Sequence, residues 1–241
     1  MSLGGDQVIP RPPSWEPGPP APWHEKSIGP LTLDHVRASF ANAPAPRPVP
    51  PEFGDGRASA VVAPLYEAPS TSFHGESETH VVLTRRAHHL RIHSGEVSFP
   101  GGRQEPGEDL WQTALREAWE EVSLPPEICE QIGVLDHLRT VSSESFIVPF
   151  IGALPLRPEL VADPNEVAAV LDVPLSQLLA PESFRSELWT ISGQTRAIYF
   201  FDIPGDTIWG ATAAMLRNFL AIVTGTFDPS DRPEPWRIER M

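Results

Sequence analysis

The sequence predicts an α/β fold in which a mixed β-sheet lies between helices, preceded by a proline-rich N-terminal arm. Three observations predict it. Short apolar runs rich in β-branched residues recur from Ala58 to Ile203, bounded by Pro, Gly, Ser and Glu. Two longer stretches, 109–124 and 210–223, carry apolar residues at helical spacing. Prolines crowd one end: 13 of the 29 lie in residues 1–51.

Taken in order, residues 1–55 read as the arm. Proline cannot donate to a helix or a central sheet, so most of the arm is expected to be an extended or polyproline-like tail wrapped on the surface, or partly disordered. Leu31, Leu33, Val36 and Phe40 interrupt it with the spacing of a short amphipathic helix over 31–43. The folded domain is expected over 56–230, with a tail at 231–241. Runs 58–65 and 80–85 read as strands, with 67–79 as a polar loop between them and 96–99 as a short extended piece. Asp109 and Gln112 form a capping pair for the helix at 109–124, which Pro125-Pro126 stops. Runs 131–140 and 145–154 read as paired strands, 166–173 as a strand and 174–179 as a short helix. Runs 186–191 and 196–203 make a hairpin around Ser192-Gly193-Gln194, and 210–223 is the last helix.

Charge and cysteine usage narrow the function classes. Lys and Arg number 18 against 32 Asp and Glu, a formal charge of −14. That argues against a nonspecific nucleic-acid binder held by phosphate neutralisation. A phosphate-rich small molecule then needs local arginines or a bridging cation. Cys129 is the single cysteine, so an intramolecular disulfide and a cysteine metal cage are both excluded, and a buried thiol is expected. There is no apolar run of membrane-spanning length and no basic-then-apolar leader pattern. A soluble cytoplasmic protein without a membrane partner is expected, as monomer or homodimer.

The chemistry concentrates between Gly101 and Leu124. A helix turns about 100° per residue, so Glu117, Glu120 and Glu121 share one arc. Trp111, Leu115, Ala118, Trp119 and Val122 are expected on the opposite, buried face. Glu108 precedes the helix and can lean into the same cluster. Arg116 sits four residues before Glu120, at ion-pairing distance. Carboxylates in this number suit a hard cation such as Mg²⁺ or Mn²⁺, and Gly101 and Gly102 let the backbone approach it closely.

The full spacing is Gly102, five residues, Glu108, seven residues, then Arg116-Glu117-Ala118-Trp119-Glu120-Glu121-Val122-Ser123-Leu124. It resembles the signature of the Nudix hydrolases at every charged position. Ala118 is smaller than the usual aliphatic residue, and Ser123 replaces the usual glycine, at a cost of about 1–2 kcal/mol if the site is left-handed. The resemblance implies a Nudix-type α/β/α sandwich and hydrolysis of a nucleoside diphosphate linked to another group. It further implies that Glu117, Glu120, Glu121 and the Gly102 carbonyl bind Mg²⁺ or Mn²⁺, that Glu120 is catalytic and that Arg116 orients the glutamates.

The flank from Leu83 to Gly102 is similar to the coenzyme A diphosphatase branch at Leu83, Thr84, Arg86, Ala87, Arg91, Gly95, Phe99, Pro100, Gly101 and Gly102. Later stretches around Glu166-Val167 and 208–213 are similar too, so the likeness spans roughly residues 56–224 and leaves the arm uncovered. It implies cleavage of coenzyme A or its thioesters to 3′,5′-ADP and 4′-phosphopantetheine products. Arg85, Arg86 and Arg91 gather positive charge before the glycines and are expected to meet substrate phosphates, together with Gly101 and Gly102. His88, His89 and His93 read as surface or packing residues. Glu166, or else Glu144, is the candidate general base. Another nucleoside diphosphate derivative as substrate, or a non-catalytic nucleotide-sensing domain, stays open.

Overall fold

The computed structural model of the chain describes residues 3–48, 58–90, 93–139, 146–191 and 193–231. The arm enters with a three-residue strand β1 (Trp15–Pro17) and helix α1 (Leu33–Ala41), whose N-cap Thr32 accepts the His35 N–H. Strands β2 (Ala58–Pro69), β3 (Ser77–Arg86), β4 (Val97–Ser98) and β5 (Gly101–Arg103) lead into helix α2 (Leu110–Val122). Then come β6 (Glu130–Val134), β7 (Leu138–Arg139), β8 (Phe146–Ala153), β9 (Val167–Pro174) and the short α3 (Leu175–Leu179). Strands β10 (Phe184–Ile191), β11 (Gln194–Ile203) and β12 (Asp206–Trp209) precede α4 (Gly210–Val223).

The described strands form two sheets. One runs β4-β3-β2-β8-β6, with β5 added to β2, β7 to β8 and β9 to β3. It is mixed, because β2 and β8 run parallel while the other pairs are antiparallel. The other runs β1-β10-β11-β12 and is antiparallel throughout. Strand β2 shows why the first sheet must be covered on both faces. Its even residues Ala58, Ala60 and Val62 pack with Ala114, Ala118 and Val122 of α2, while its odd residues Val61, Ala63 and Leu65 pack with α1, α4 and the second sheet. Side chains alternate across a strand, and a central strand buried on both faces carries the near-continuous apolar run seen here. Among the described residues no helix is long and apolar enough to cross a membrane.

Several expectations shift. The polar loop at 67–79 is shorter than read, because β2 and β3 continue as a hairpin to the Pro69–Ser77 pair. The run 131–140 breaks into β6 and β7, with a register shift between Gln131 and Gly133. The arm is not a surface wrap along its whole length. Ala21, Trp23, Leu31 and Val36 lie in the main core, Trp23 at 2% exposure against Phe184 and Phe201. Strand β12 escaped the sequence reading because four residues after a Pro-Gly turn carry too little pattern.

Candidate active site

Strand β5 and helix α2 bring the glycines and glutamates together. Gly101 has φ +150°, and a Cβ there would sit 2.3 Å from the Ala60 carbonyl oxygen, where β5 lies against β2. At Gly102 a Cβ would fall 2.4 Å from Glu117 Cδ, so only glycine lets that carboxylate rest against the backbone. Helix α2 starts with a full capping box: Asp109 accepts the Gln112 N–H, and Gln112 accepts the Asp109 N–H. It ends at Ser123, which adopts φ 57° and ψ 34°, the left-handed conformation that the motif's glycine supplies elsewhere. Ser123 and Leu124 donate to the carbonyls of Trp119 and Ala118, satisfying the last turn.

The three glutamates straddle the edge of the buried face. The Glu121 side chain is 4% exposed, Glu117 18% and Glu120 56%. Trp119, expected on the buried face, is 51% exposed. The buried arc centres on Ala114, Ala118 and Val122, and at about 100° per residue Glu121 falls just inside it and Trp119 just outside. Arg116 ties the cluster together. Its Nε donates to Glu108 at 2.6 Å, one terminal nitrogen donates to Glu117 at 3.0 Å and Glu120 at 2.9 Å, and the other reaches the Arg103 carbonyl at 3.1 Å. The carboxyl groups respond. The Arg116 hydrogen bond holds Glu108 down at about 2. Burial pushes Glu117 above its usual range, and pushes Glu121 up to about 8 against the Gly101 N–H bond that opposes it.

The flanking arginines divide by strand parity. Arg86 shares the even face of β3 and lies with a terminal nitrogen 3.8 Å from Glu121. Its Nε is buried without a hydrogen-bond partner. Arg85 shares the odd face and is bound through Nε and a terminal nitrogen to the buried carboxylate of Asp206. Alternation along β3 turns Arg85 to Asp206 and away from the glutamates. Arg91 and Glu144 lie outside the described residues. Glu166 is exposed, and its charge helps to raise both Glu117 and Glu121. It reaches them because Asp163 N–H bonds the Glu121 carbonyl and Ala87 N–H bonds the Glu166 carbonyl. His89 contacts the Asn165 carbonyl and His93 contacts Glu96, both at the exposed surface. A cleft of about 320 Å³ lies elsewhere, between the arm and α3, and contains none of these residues. Sequence reading missed the Gly101 N–H as the partner of Glu121, since no side chain signals it.

The model of the NUDIX domain matches residues 71–192. A relative from Yersinia pestis (strain Pestoides F), named as the uncharacterized Nudix hydrolase NudL, is 34% identical over 163 residues, covering 67% of this chain and 77% of the relative. The chain belongs to the Nudix hydrolases. NudL of Yersinia pseudotuberculosis serotype O:1b (strain IP 31758) matches to the same extent. Among solved structures, the Nudix hydrolase RenU of M. smegmatis aligns at TM-score 0.42 and 19% identity, over 51% of this chain and 73% of that one. A MutT/Nudix family protein from Enterococcus faecalis aligns at TM-score 0.44 and 15% identity, over 84% of this chain and 72% of that one.

Nudix hydrolases are pyrophosphohydrolases that generally use divalent cations such as Mg²⁺ or Mn²⁺, and the donor set here fits such an ion. Glu121 is a carboxylate buried with one N–H bond and one cation 3.8 Å away, and Glu117 lies against the side-chain-free Gly102. Both offer hard oxygens. As the side chains stand, no three His, Cys, Asp or Glu among the described residues are gathered closely enough to hold an ion. Arg116 bonds Glu117 and Glu120 instead.

Proposed function

We propose that this Nudix hydrolase cleaves the diphosphate of coenzyme A or of its thioesters, giving 3′,5′-ADP and 4′-phosphopantetheine or its acyl form. The observation that carries the reading is Arg86, from the stretch similar to the coenzyme A diphosphatase branch. It stands 3.8 Å from Glu121 with a buried, unpartnered Nε, a fixed cation beside a carboxylate cluster. Planar guanidinium matches phosphate oxygens, and in a chain of charge −14 such a cation is a local exception.

Glu117, Glu120, Glu121 and the Gly102 carbonyl would hold Mg²⁺ or Mn²⁺. The bound ion would supply charge neutralisation of the diphosphate and a water of lowered pKa. Arg116, held on Glu108 and the Arg103 carbonyl and bonded to Glu117 and Glu120, would orient those glutamates. Arg86 binds the diphosphate. Glu166 takes the proton of the attacking water on a carboxylate oxygen, its charge being close enough to perturb Glu117 and Glu121. Gly101 and Gly102 let the phosphates approach the backbone.

The test is a panel of coenzyme A, an acyl thioester, ADP-ribose and a diadenosine polyphosphate, each with Mg²⁺ and with Mn²⁺, products separated by chromatography. Coenzyme A should yield 3′,5′-ADP, and Glu120→Gln should cut kcat by about 10²-fold or more, the scale of several kcal/mol of lost charge stabilisation. Turnover of another member but not coenzyme A would move the substrate and keep the chemistry. Tight nucleotide binding without turnover, indifferent to Glu120→Gln, would make the chain a sensor.

A further inference from the structure

The arm makes one contact that neither its proline content nor the glutamate box explains. The Gln7 amide has three partners. Its Nε2 donates to Asp206 at 2.7 Å and to the Gly95 carbonyl at 3.3 Å, and its Oε1 accepts the Thr207 N–H at 2.8 Å. Two acceptors and one donor fix the amide's orientation, since the flipped group would face oxygen with oxygen. Two of the three partners, Asp206 and Gly95, lead to Arg86. Asp206 grips Arg85, the neighbour of Arg86 on β3, and the Glu96 carbonyl, next to Gly95, accepts the Arg86 backbone N–H at 2.9 Å. The arm is held there by its own backbone: Gly4 N–H donates to the Ile203 carbonyl, and Gly5 N–H to Thr207. Gly5 has no room for a side chain, because a Cβ would lie 2.4 Å from the Gly205 carbonyl oxygen and 2.7 Å from Asp206 Cα.

We infer that Gln7 of the N-terminal arm is a positioning residue for Arg86, clamping Asp206 and Gly95 so that the guanidinium stays beside the glutamates and ready for a substrate phosphate. The kinetic consequence rests on the substrate-binding role of Arg86 proposed above. The mechanical one does not. Arg86 contacts the diphosphate in ground and transition state alike, so its displacement raises KM and leaves kcat.

The experiment uses the full chain, four single variants and one double variant. Gln7→Ala removes the clamp while leaving Arg85 on Asp206, and Gly5→Ala displaces the arm by a different route. Val8→Ala, at a site 89% exposed, is the control. In Gln7→Ala and Gly5→Ala, amide exchange at Arg86 should quicken and KM should rise about 3- to 10-fold, the scale of one net hydrogen bond, with kcat within about twofold. In an Arg86→Ala background, Gln7→Ala should add nothing to KM. Unchanged exchange at Arg86, a KM rise that adds fully to that of Arg86→Ala, or faster exchange with unchanged KM where Arg86→Ala itself raises KM would each overturn the inference; faster exchange with KM unchanged in Arg86→Ala as well would uphold the clamp and remove the substrate-binding role of Arg86. Kinetics are read on whichever diphosphate of the panel is turned over, or as the Kd for ADP if none is. Failure of the coenzyme A reading is thus seen separately from failure of the clamp.

Discussion

Ser123 shows how a single position can be read in advance and priced in energy. The motif expects glycine there, and the structure places serine at φ 57°, where an L-residue is disfavoured by roughly 1–2 kcal/mol. Ser123→Gly should stabilise the protein by about 1 kcal/mol, less whatever is lost to the freer unfolded chain. A higher urea midpoint at unchanged m would show it, and a midpoint at or below that of the parent would mean serine finds compensation at the cap. Cys129 also matches its reading: it is free and buried, and burial pushes its thiol up to about 12. Arg85 and Arg86 were both expected at the substrate, although only Arg86 falls on a position of the similar stretch. Their roles separated only once β3 assigned one to each face.

Helix α2 was legible almost throughout, because cap, period and ion pairs are properties of residues three or four apart. The capping box, the Arg116–Glu120 pair and the inward lean of Glu108 all stand as the spacing implied. What the spacing missed was the angle of the buried arc, which put Trp119 outside and Glu121 inside. That angle is set by how α2 sits on β2 and β5. The Glu108–Arg116 pair carries a pH signature at this scale. Its hydrogen bond to Arg116 lowers Glu108 from 4.5 to about 2 in the folded chain. A lowered carboxyl pKa contributes stability that is present above the unfolded value and lost as pH falls through the folded one. The stability gap between the parent and Glu108→Gln should be full above about pH 5 and should close between 4.5 and about 2. Urea titrations at stepped pH would show it, and a gap independent of pH would remove the ion pair as its source.

At the scale of the whole molecule the arm is the main revision. Proline content argued for a surface tail, yet β1 extends the second sheet and Trp23 joins the core between Phe184 and Phe201. Arg11 pairs with Glu187, which is 2% exposed and also receives Arg185 and Trp189. Leaving such a carboxylate unpaired is costly. Trp23, 2% exposed against Phe184 and Phe201, gives the test: Trp23→Ala should destabilise by about 3–5 kcal/mol, as for a large aromatic removed from a core. A thermal melt lowered only as much as a surface substitution would, within roughly 0.5 kcal/mol, would return the arm to the surface.

By itself the sequence determined the alternation of strands and helices, the family and the glutamate helix, because each is written in residues close along the chain. Hydrophobic period, turn chemistry and motif spacing need no knowledge of what lies opposite. Only the tertiary structure decided which arginine faces the glutamates, which glutamate is buried, and that the arm reaches β12. Gln7 and Asp206 are 199 residues apart. Contacts over such separations depend on how the sheets stack and where the chain returns, and no local pattern encodes them.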